Sequence, residues 1–282
     1  GIGGNIGLLE MEYKKLGYQR ILNIEPALNI AEESEKNGIF TFNLFFNELV
    51  ANNLVTTAQY GKSKLITCNH CWAHTDLKPL IEGIKILLDK NGILVIENSN
   101  WLDVVKNRDA FQCYHEHYKY LTIKALRNFF SIHGFDIFDV HFNSTQCGSF
   151  RAYIKWKENV RFSINDSVQA IVEDEEYYGL FKKETYDIFL AELNNVKIEV
   201  NKLLKDLTSK GMKIGLFGIA AKTTLLLKYF DISKYISVAT DDSEIKHNKF
   251  IPGTSIKITS KEEFWNQKPD VVIPIYNFFN NI

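Results

Sequence analysis

Residues 114–121 combine two imidazoles, one carboxylate and three phenols in a single short stretch. Such groups accept protons, orient a base and stabilise an oxyanion. His115 and His117 lie two residues apart and share a face of an extended segment, which suits metal binding, but no further ligand set is evident. The stretch therefore predicts acid–base chemistry, in which one imidazole removes a proton, Glu116 orients it and a phenol stabilises the resulting anion. A polar surface turn is the alternative.

A glycine-rich turn, residues 1–7, opens the sequence, and Glu25 ends the next predicted strand. Glycines let the backbone approach a ligand closely, and an acid at such a strand end accepts hydrogen bonds from a ribose diol. This order predicts a nucleoside-containing cofactor, without separating NAD from S-adenosylmethionine. The alternative is a tight turn with a surface glutamate.

Two further segments follow predicted strands, where ligands of open α/β sheets bind. In residues 69–74, His74 is placed either to face the substrate or to pack or cap a helix. Cys68 and Cys71 have C-x-x-C spacing, but no second pair matches it, so a metal site is not indicated. Residues 218–222 bring backbone N–H groups and a lysine to a helix start, which suits a phosphate or is an ordinary strand-to-helix turn.

The elements that position these groups alternate short apolar strands with helical patterns, which predicts an α/β fold with a parallel sheet. This layout occurs twice, and we expect domains at residues 1–160 and 211–282 joined by a helical connector at 161–210. Two strands, 135–142 and 149–155, are expected to form an antiparallel edge. Because a glycine turn of this kind normally follows a buried strand, we expect the chain to be an N-terminally truncated fragment.

The composition of this 282-residue chain limits the kinds of partner that it is expected to bind. With 33 basic and 34 acidic residues, it gives no reason to expect binding to nucleic acid or to an anionic membrane. No apolar run reaches the roughly 18 residues of a membrane span, and no secretory signal is visible. Four scattered cysteines do not indicate a disulfide framework, so we expect a cytoplasmic protein. The oligomeric state is not indicated.

Taken together, these motifs resemble S-adenosylmethionine-dependent C-methyltransferases of nucleotide-linked 4-keto-deoxysugars. The Tyr-His-Glu-His and Pro-Gly-Thr segments are more specific than the glycine turn. The segments that match in order are 2–5, 24–26, 69–74, 114–117, 148–151, 220–222, Asp241 and 252–254.

The resemblance implies a Rossmann-like class I methyltransferase domain lacking its first strand, a helical connector, and a second, smaller and incomplete Rossmann-like domain that holds a nucleotide-sugar. His117 would be the base at the carbon next to the sugar ketone. Tyr114, Glu116 and His74 would support it or bind the enolate. The residues implied to bind S-adenosylmethionine are Gly3, Gly4, Asn5, Gly7, Glu25 and Asn69. Those implied to bind the nucleotide-sugar are Ser149, Arg151, Lys222 and Asp241.

The sequence departs from the family at four positions. The family usually has an acidic residue at the position of Gly1, Asp at Ile6, Asn at His70 and Gly at Thr223. Zinc is expected only in the family's cysteine-rich N-terminal domain, which this sequence does not contain. An NAD(P)-dependent nucleotide-sugar oxidoreductase, a non-catalytic sugar-binding relative and a fragment that is inactive on its own remain open alternatives.

Overall fold

The computed structural model describes residues 1–56 and 60–275. Contacts divide the chain into two compact units. Unit 1 comprises Gly1–Asn107 and Glu116–Lys182, and unit 2 comprises Arg108–His115 and Lys183–Ile282. The boundary between them falls inside residues 114–121, between His115 and Glu116.

Unit 1 contains strands and helices in alternation. Its strands are β1 (Asn23–Ile24), β2 (Thr41–Phe42), β3 (Ser63–Asn69), β4 (Leu88–Ser99), β5 (Phe135–Asn143) and β6 (Ser149–Trp156). Its helices are α1 (Leu8–Lys15), α2 (Leu28–Lys36), α3 (Glu48–Thr56), α4 (Leu77–Leu87), α5 (Trp101–Lys106), α6 (Ile123–Ile132) and α7 (Asp166–Tyr177).

The sheets of unit 1 bring the ends of several strands to one region. Strands β1 and β2 pair in parallel, and a four-stranded sheet has the order β3-β4-β6-β5. Ile2 forms a parallel bridge to Ile24 and donates its N–H to the Thr67 carbonyl at 2.8 Å, so its backbone lies between the two sheets. The glycine turn therefore starts beside the carboxyl ends of β1 and β3, where α/β sheets bind ligands.

The predicted α/β class is confirmed, and the arrangement fits a Rossmann-like methyltransferase domain. The expected antiparallel edge is also present, since β6 pairs antiparallel with both β4 and β5. Two separate helices lie within the segment predicted to be a helical connector, residues 161–210. Helix α7 ends before Gly179, which adopts a φ of 79° that a glycine reaches without steric cost, and a new helix begins at Lys183.

Unit 2 is built on a parallel sheet of its own. Its helices are α8 (Lys183–Ser209), α9 (Ala221–Phe230) and α10 (Lys261–Asn266), and its strands are β7 (Ile214–Phe217), β8 (Ile236–Thr240), β9 (Ile258–Thr259) and β10 (Val271–Pro274), in the order β10-β7-β8-β9. A Cβ at Gly215 would lie 2.6 Å from Cζ of Phe264, so the glycine in β7 lets this buried ring approach the strand.

The segment Arg108–His115 belongs to unit 2 through contacts with its helices. The Arg108 guanidinium donates two hydrogen bonds of 2.8 Å to the Glu192 carboxylate on α8. The ring of Phe111 packs edge-on against that of Phe230 on α9, with centroids 5.5 Å apart. In the part of the chain that the structure describes, no helix has the length and apolar character needed to cross a membrane.

Candidate active site

The glycine turn of unit 1 takes its shape from three residues with positive φ. Gly3 and Gly7 have φ values of 63° and 77°, and Asn5 has 54°. The side-chain oxygen of Asn5 accepts a bond of 2.7 Å from the Ile6 N–H, which helps to hold that residue in the left-handed region. The turn then leads directly into α1, with Gly7 as its N-cap residue.

Glu25 lies against this turn. Its Oε2 accepts a hydrogen bond of 3.1 Å from the Asn5 N–H, and its Oε1 accepts one of 3.0 Å from the Ala27 N–H. The two bonds fix a largely buried carboxylate at the end of β1. Each oxygen still has accepting capacity for a further donor, such as a ribose hydroxyl.

Asn23 is a structural partner of the turn that the sequence analysis missed. It is completely buried in β1, accepts the Gly4 N–H at 3.1 Å and donates to the Asn5 carbonyl at 2.8 Å. A Cβ at Gly4 would lie 2.3 Å from its Oδ1, so the glycine is required for this close approach. The sequence signal that could have identified Asn23 is a polar residue within an otherwise apolar strand.

A cavity of about 390 Å³ adjoins the turn and is lined by residues 2–6, the start of α1, Thr67 and Asn69. Oδ1 of Asn69 and Oε2 of Glu10 are buried and have no hydrogen-bond partner among the described residues. Buried acceptors normally have a donor. The cavity therefore fits a ligand rich in N–H and O–H groups, and S-adenosylmethionine carries an ammonium group and ribose hydroxyls.

The catalytic candidates of unit 1 meet where residues 116–121 pass a short 3₁₀ helix, Trp72–His74, that follows β3. The Tyr118 N–H donates to the Ala73 carbonyl at 3.1 Å, and the Lys119 ammonium donates to the Thr75 carbonyl at 2.6 Å. These anchors bring the rings of His74 and His117 into edge-on contact, with centroids 4.7 Å apart. Both imidazoles are half-buried, and Glu116 is exposed.

Tyr114 is half-buried and His115 exposed, and both belong to unit 2. Their rings contact each other edge-on, with centroids 6.3 Å apart. In the described ranges 1–56 and 60–275, no three His, Cys, Asp or Glu side chains are grouped to hold a metal ion.

Ser149 and Arg151 lie on β6, and each already has a partner. The buried Ser149 hydroxyl donates to the Thr145 carbonyl at 2.8 Å. The Arg151 guanidinium donates two bonds, of 2.9 and 2.6 Å, to Oε2 of Glu97 on the neighbouring strand β4. The sequence analysis did not single out Glu97, which lies near the end of β4.

His70 adjoins the Glu97 carboxylate. Its Nε2 lies 3.6 Å from Oε1 of Glu97, and its backbone has a φ of 50°. Burial lowers the pKa of this imidazole, and the nearby Glu97 carboxylate opposes the shift only in part. His70 is therefore predominantly neutral at pH 7.

Unit 2 repeats the arrangement of strand, turn and acid. Asp241 ends β8, and its Oδ2 accepts the Ile219 N–H at 2.6 Å and the Lys246 ammonium at 2.9 Å. Burial acts to raise the pKa of Asp241, but bonds from the Ser243 N–H, Lys246 and the Ile219 N–H outweigh it and lower the pKa. Lys222 is half-buried in the first turn of α9. The structure thus brings Asp241 to the turn at residues 218–222.

Cys71 adjoins the glycine turn and has an unusual thiol. Its Sγ lies 3.0 Å from the position of a Cβ on Gly3. A hydrogen bond with Cys68, opposed by burial and aided by the Thr75 hydroxyl, lowers the pKa of Cys71 to about 7. The same hydrogen bond, together with burial, raises the pKa of Cys68 well above its usual range.

We therefore expect iodoacetamide to alkylate Cys71 with a rate that rises through an inflection near pH 7, because the thiolate is the reactive form. S-adenosylhomocysteine in the adjacent cavity should slow the reaction. Peptide mass spectrometry across a pH series measures both effects, with Cys71→Ser as the control for site assignment. An inflection near pH 9 would contradict the lowered pKa, and an unchanged rate with ligand would contradict the proximity of the ligand.

Comparisons with known proteins identify similar chains. Residues 144–282 match the model of the C-methyltransferase C-terminal domain. The chain is 23% identical over 293 residues to the C-methyltransferase NovU of Streptomyces niveus, and the match covers 99% of this chain and 69% of that protein.

Two solved structures resemble part of the chain. A SAM-dependent methyltransferase from Anabaena variabilis is 14% identical with a TM-score of 0.43, covering 55% of this chain and 75% of that one. Magnesium protoporphyrin IX methyltransferase from Synechocystis, solved with bound SAH, is 14% identical with a TM-score of 0.39, covering 54% of this chain and 70% of that one. At TM-scores below 0.5, neither similarity supports an inference about function.

The two sequence matches extend together over nearly the whole chain, and both are to C-methyltransferases. Unit 1 provides the glycine turn, the fixed acid at the end of β1 and a cavity with unpaired acceptors that fit the methyl donor. The sequence matches and this site together support an S-adenosylmethionine-dependent C-methyltransferase activity.

Proposed function

We propose that the chain methylates the carbon next to the ketone of a nucleotide-linked 4-keto-deoxysugar. The observation that carries this proposal is the contact between His74 and His117, two half-buried imidazoles in the same unit as the glycine turn and Glu25. The choice of a keto-sugar rests on the sequence resemblance of residues 114–117 and 252–254 to enzymes acting on such sugars.

The chemistry of C-methylation explains why a base is needed. Bound S-adenosylmethionine supplies an electrophilic methyl group. The substrate carbon becomes a nucleophile only after it loses a proton, and the neighbouring ketone acidifies that proton because the resulting charge moves onto oxygen. An enzyme for this reaction therefore needs a positioned base and hydrogen-bond donors for the enolate oxygen.

In this proposal His117 accepts the α-proton. His74, in ring contact with it, orients the base or donates a hydrogen bond to the enolate oxygen. Glu116 and Tyr114, its neighbours in sequence, are proposed to support the base. The residues proposed to contact the nucleotide-sugar are Ser149, Arg151, Lys222 and Asp241. Those proposed to contact the cofactor are Gly3, Gly4, Asn5, Gly7, Glu25 and Asn69.

Proton exchange in D₂O tests the mechanism separately from methyl transfer. The probes are TDP- and GDP-linked 4-keto-6-deoxyhexoses, incubated with the chain and S-adenosylhomocysteine, which fills the cofactor site but has no methyl group to transfer. We expect one α-proton signal to disappear from the NMR spectrum because His117 removes it reversibly. Replacing S-adenosylhomocysteine by S-adenosylmethionine should then yield the C-methylated sugar.

Three outcomes would contradict the proposal. Methyl transfer to an oxygen of the sugar would refute the carbon nucleophile. Calorimetric binding of NAD(H) with no binding of S-adenosylmethionine would favour a nucleotide-sugar oxidoreductase instead. Exchange that is equally fast with heat-denatured protein would show that the ketone exchanges without a base from the chain.

A further inference from the structure

Glu10 is a buried carboxylate on α1, close behind the glycine turn. Its side chain is 1% exposed. Oε1 lies 3.5 Å from the amino nitrogen of Gly1, and Oε2 has no hydrogen-bond partner among the described residues. Glu10 also lines the 390 Å³ cavity beside the turn. The side chain thus presents an unsatisfied acceptor to a cavity that we assign to the cofactor.

The glycines of the turn make room for this carboxylate. A Cβ at Gly1 would lie 1.8 Å from Oε1 of Glu10, and a Cβ at Gly4 would lie 3.0 Å from the same oxygen. The carboxylate therefore occupies the space that a side chain at position 1 would need. A side chain at position 1 would therefore displace the Glu10 carboxylate from its present place.

Burial of an ionised carboxylate is costly unless a cation or hydrogen-bond donors compensate it. The Gly1 amino group pairs with Oε1 at 3.5 Å, but within residues 1–56 and 60–275 no Lys, Arg or His side chain pairs with Glu10, and Oε2 has no donor. A cation delivered by a ligand would supply both the charge and the missing donor.

We infer that Glu10 binds the α-ammonium group of S-adenosylmethionine. The cavity offers two unpaired acceptors, Oε2 of Glu10 and Oδ1 of Asn69, so the group it receives must be a donor. An ammonium group has three N–H donors and a positive charge, whereas the sulfonium has no N–H and the ribose hydroxyls have no charge. Glu25, already held by two N–H groups, is placed for those hydroxyls. This inference rests on the cofactor assignment and adds a residue to it.

Calorimetry with two adenosine ligands tests the inference on the full chain. S-adenosylhomocysteine carries the α-ammonium, and 5′-methylthioadenosine lacks the whole amino-acid portion. Glu10→Gln keeps the size of the side chain and removes its charge. We expect it to weaken S-adenosylhomocysteine binding roughly 10- to 100-fold, as for the loss of a charge-assisted hydrogen bond, and to change methylthioadenosine binding by less than about twofold.

Glu12→Gln is the matched control, because Glu12 lies on the same helix with its side chain 62% exposed and pairs with Lys15 at 2.6 Å. It should bind both ligands as the unchanged chain does. Equal weakening of both ligands by Glu10→Gln would show a structural role for Glu10 and overturn the inference. Unchanged S-adenosylhomocysteine affinity would overturn it as well. An unchanged chain that binds neither ligand would refute the cofactor assignment itself.

Discussion

His117→Ala is expected to reduce kcat for methyl transfer by roughly 100- to 10,000-fold, the usual contribution of a positioned general base. The α-proton exchange in D₂O should fall by a similar factor, because both reactions need the same proton removed. Affinity for S-adenosylhomocysteine should stay within about twofold, because no cofactor contact is assigned to His117. Steady-state kinetics, NMR exchange and calorimetry measure the three quantities.

The structure indicates that this variant will fold. The segment around His117 is held by the Tyr118 N–H on the Ala73 carbonyl and by the Lys119 ammonium on the Thr75 carbonyl. Neither bond uses the imidazole. The loss of the ring therefore removes its contact with His74 and leaves the backbone anchors in place.

His141→Ala is a suitable control, since His141 lies on β5, is largely exposed and has its Nε2 3.1 Å from the Asp139 carboxylate. It should retain full exchange and methyl transfer. If His117→Ala loses methyl transfer but keeps α-proton exchange, the base lies elsewhere and His117 acts in a later step. If it loses neither, the assignment is wrong.

Glu175→Ala is expected to lower the free energy of unfolding by about 2–4 kcal/mol, through the loss of two hydrogen bonds to a charged group. Glu175 reaches from α7 to the first turn of α6. Its Oε1 accepts the Ile123 N–H at 2.6 Å, and its Oε2 accepts the Lys124 N–H at 2.9 Å. The side chain is buried, so both N–H groups would lose their partner without gaining free access to water.

The adjacent Glu176 provides a matched control. Its carboxylate is half-exposed and pairs with the Lys124 ammonium at 2.6 Å. Exposed pairs contribute little, so Glu176→Ala should lower the free energy of unfolding much less than Glu175→Ala does. Urea unfolding at pH 8 compares the two variants, a pH well above the usual carboxyl range, because burial raises the pKa of Glu175. Equal losses for both variants would show that the cap does not stabilise α6.

Glu175 also matters for the site, since α6 begins directly after residues 114–121. Trp101 donates its N–H to the Leu121 carbonyl at 3.2 Å, and the Glu175 cap fixes the residues that follow. The Glu175 side chain on α7 therefore helps to fix the end of the segment that carries His117.

The local sequence predicts those parts of the site that repeat a simple pattern. The glycine turn is followed by a helix and by a strand that Glu25 follows, and the predicted strands 135–142 and 149–155 correspond to β5 and β6. The His74–His117 contact was expected only through resemblance, because the two residues are far apart in sequence.

The rest depends on tertiary contacts that no local pattern encodes. Glu10 looks like a surface residue of an amphipathic helix, yet it is buried because Gly1 and Gly4 leave space beside it. Glu97 and Arg151 become partners only when β4 and β6 pair in register. The helical periodicity of residues 166–209 does not reveal the interruption between the two helices, which lies at Gly179 with its positive φ.

Neither unit of this chain is one continuous stretch of polypeptide. Residues 108–115 are synthesised early, but their partners Glu192 and Phe230 follow only after the last strand of unit 1 has been made. Ser99 at the end of β4 pairs with Ser149 at the start of β6. The chain between these two residues contains the unit 2 segment 108–115. Closing such loops has an entropic cost that delays long-range pairing. The two units are therefore interleaved along the gene, and no single cut can separate one intact unit from the other.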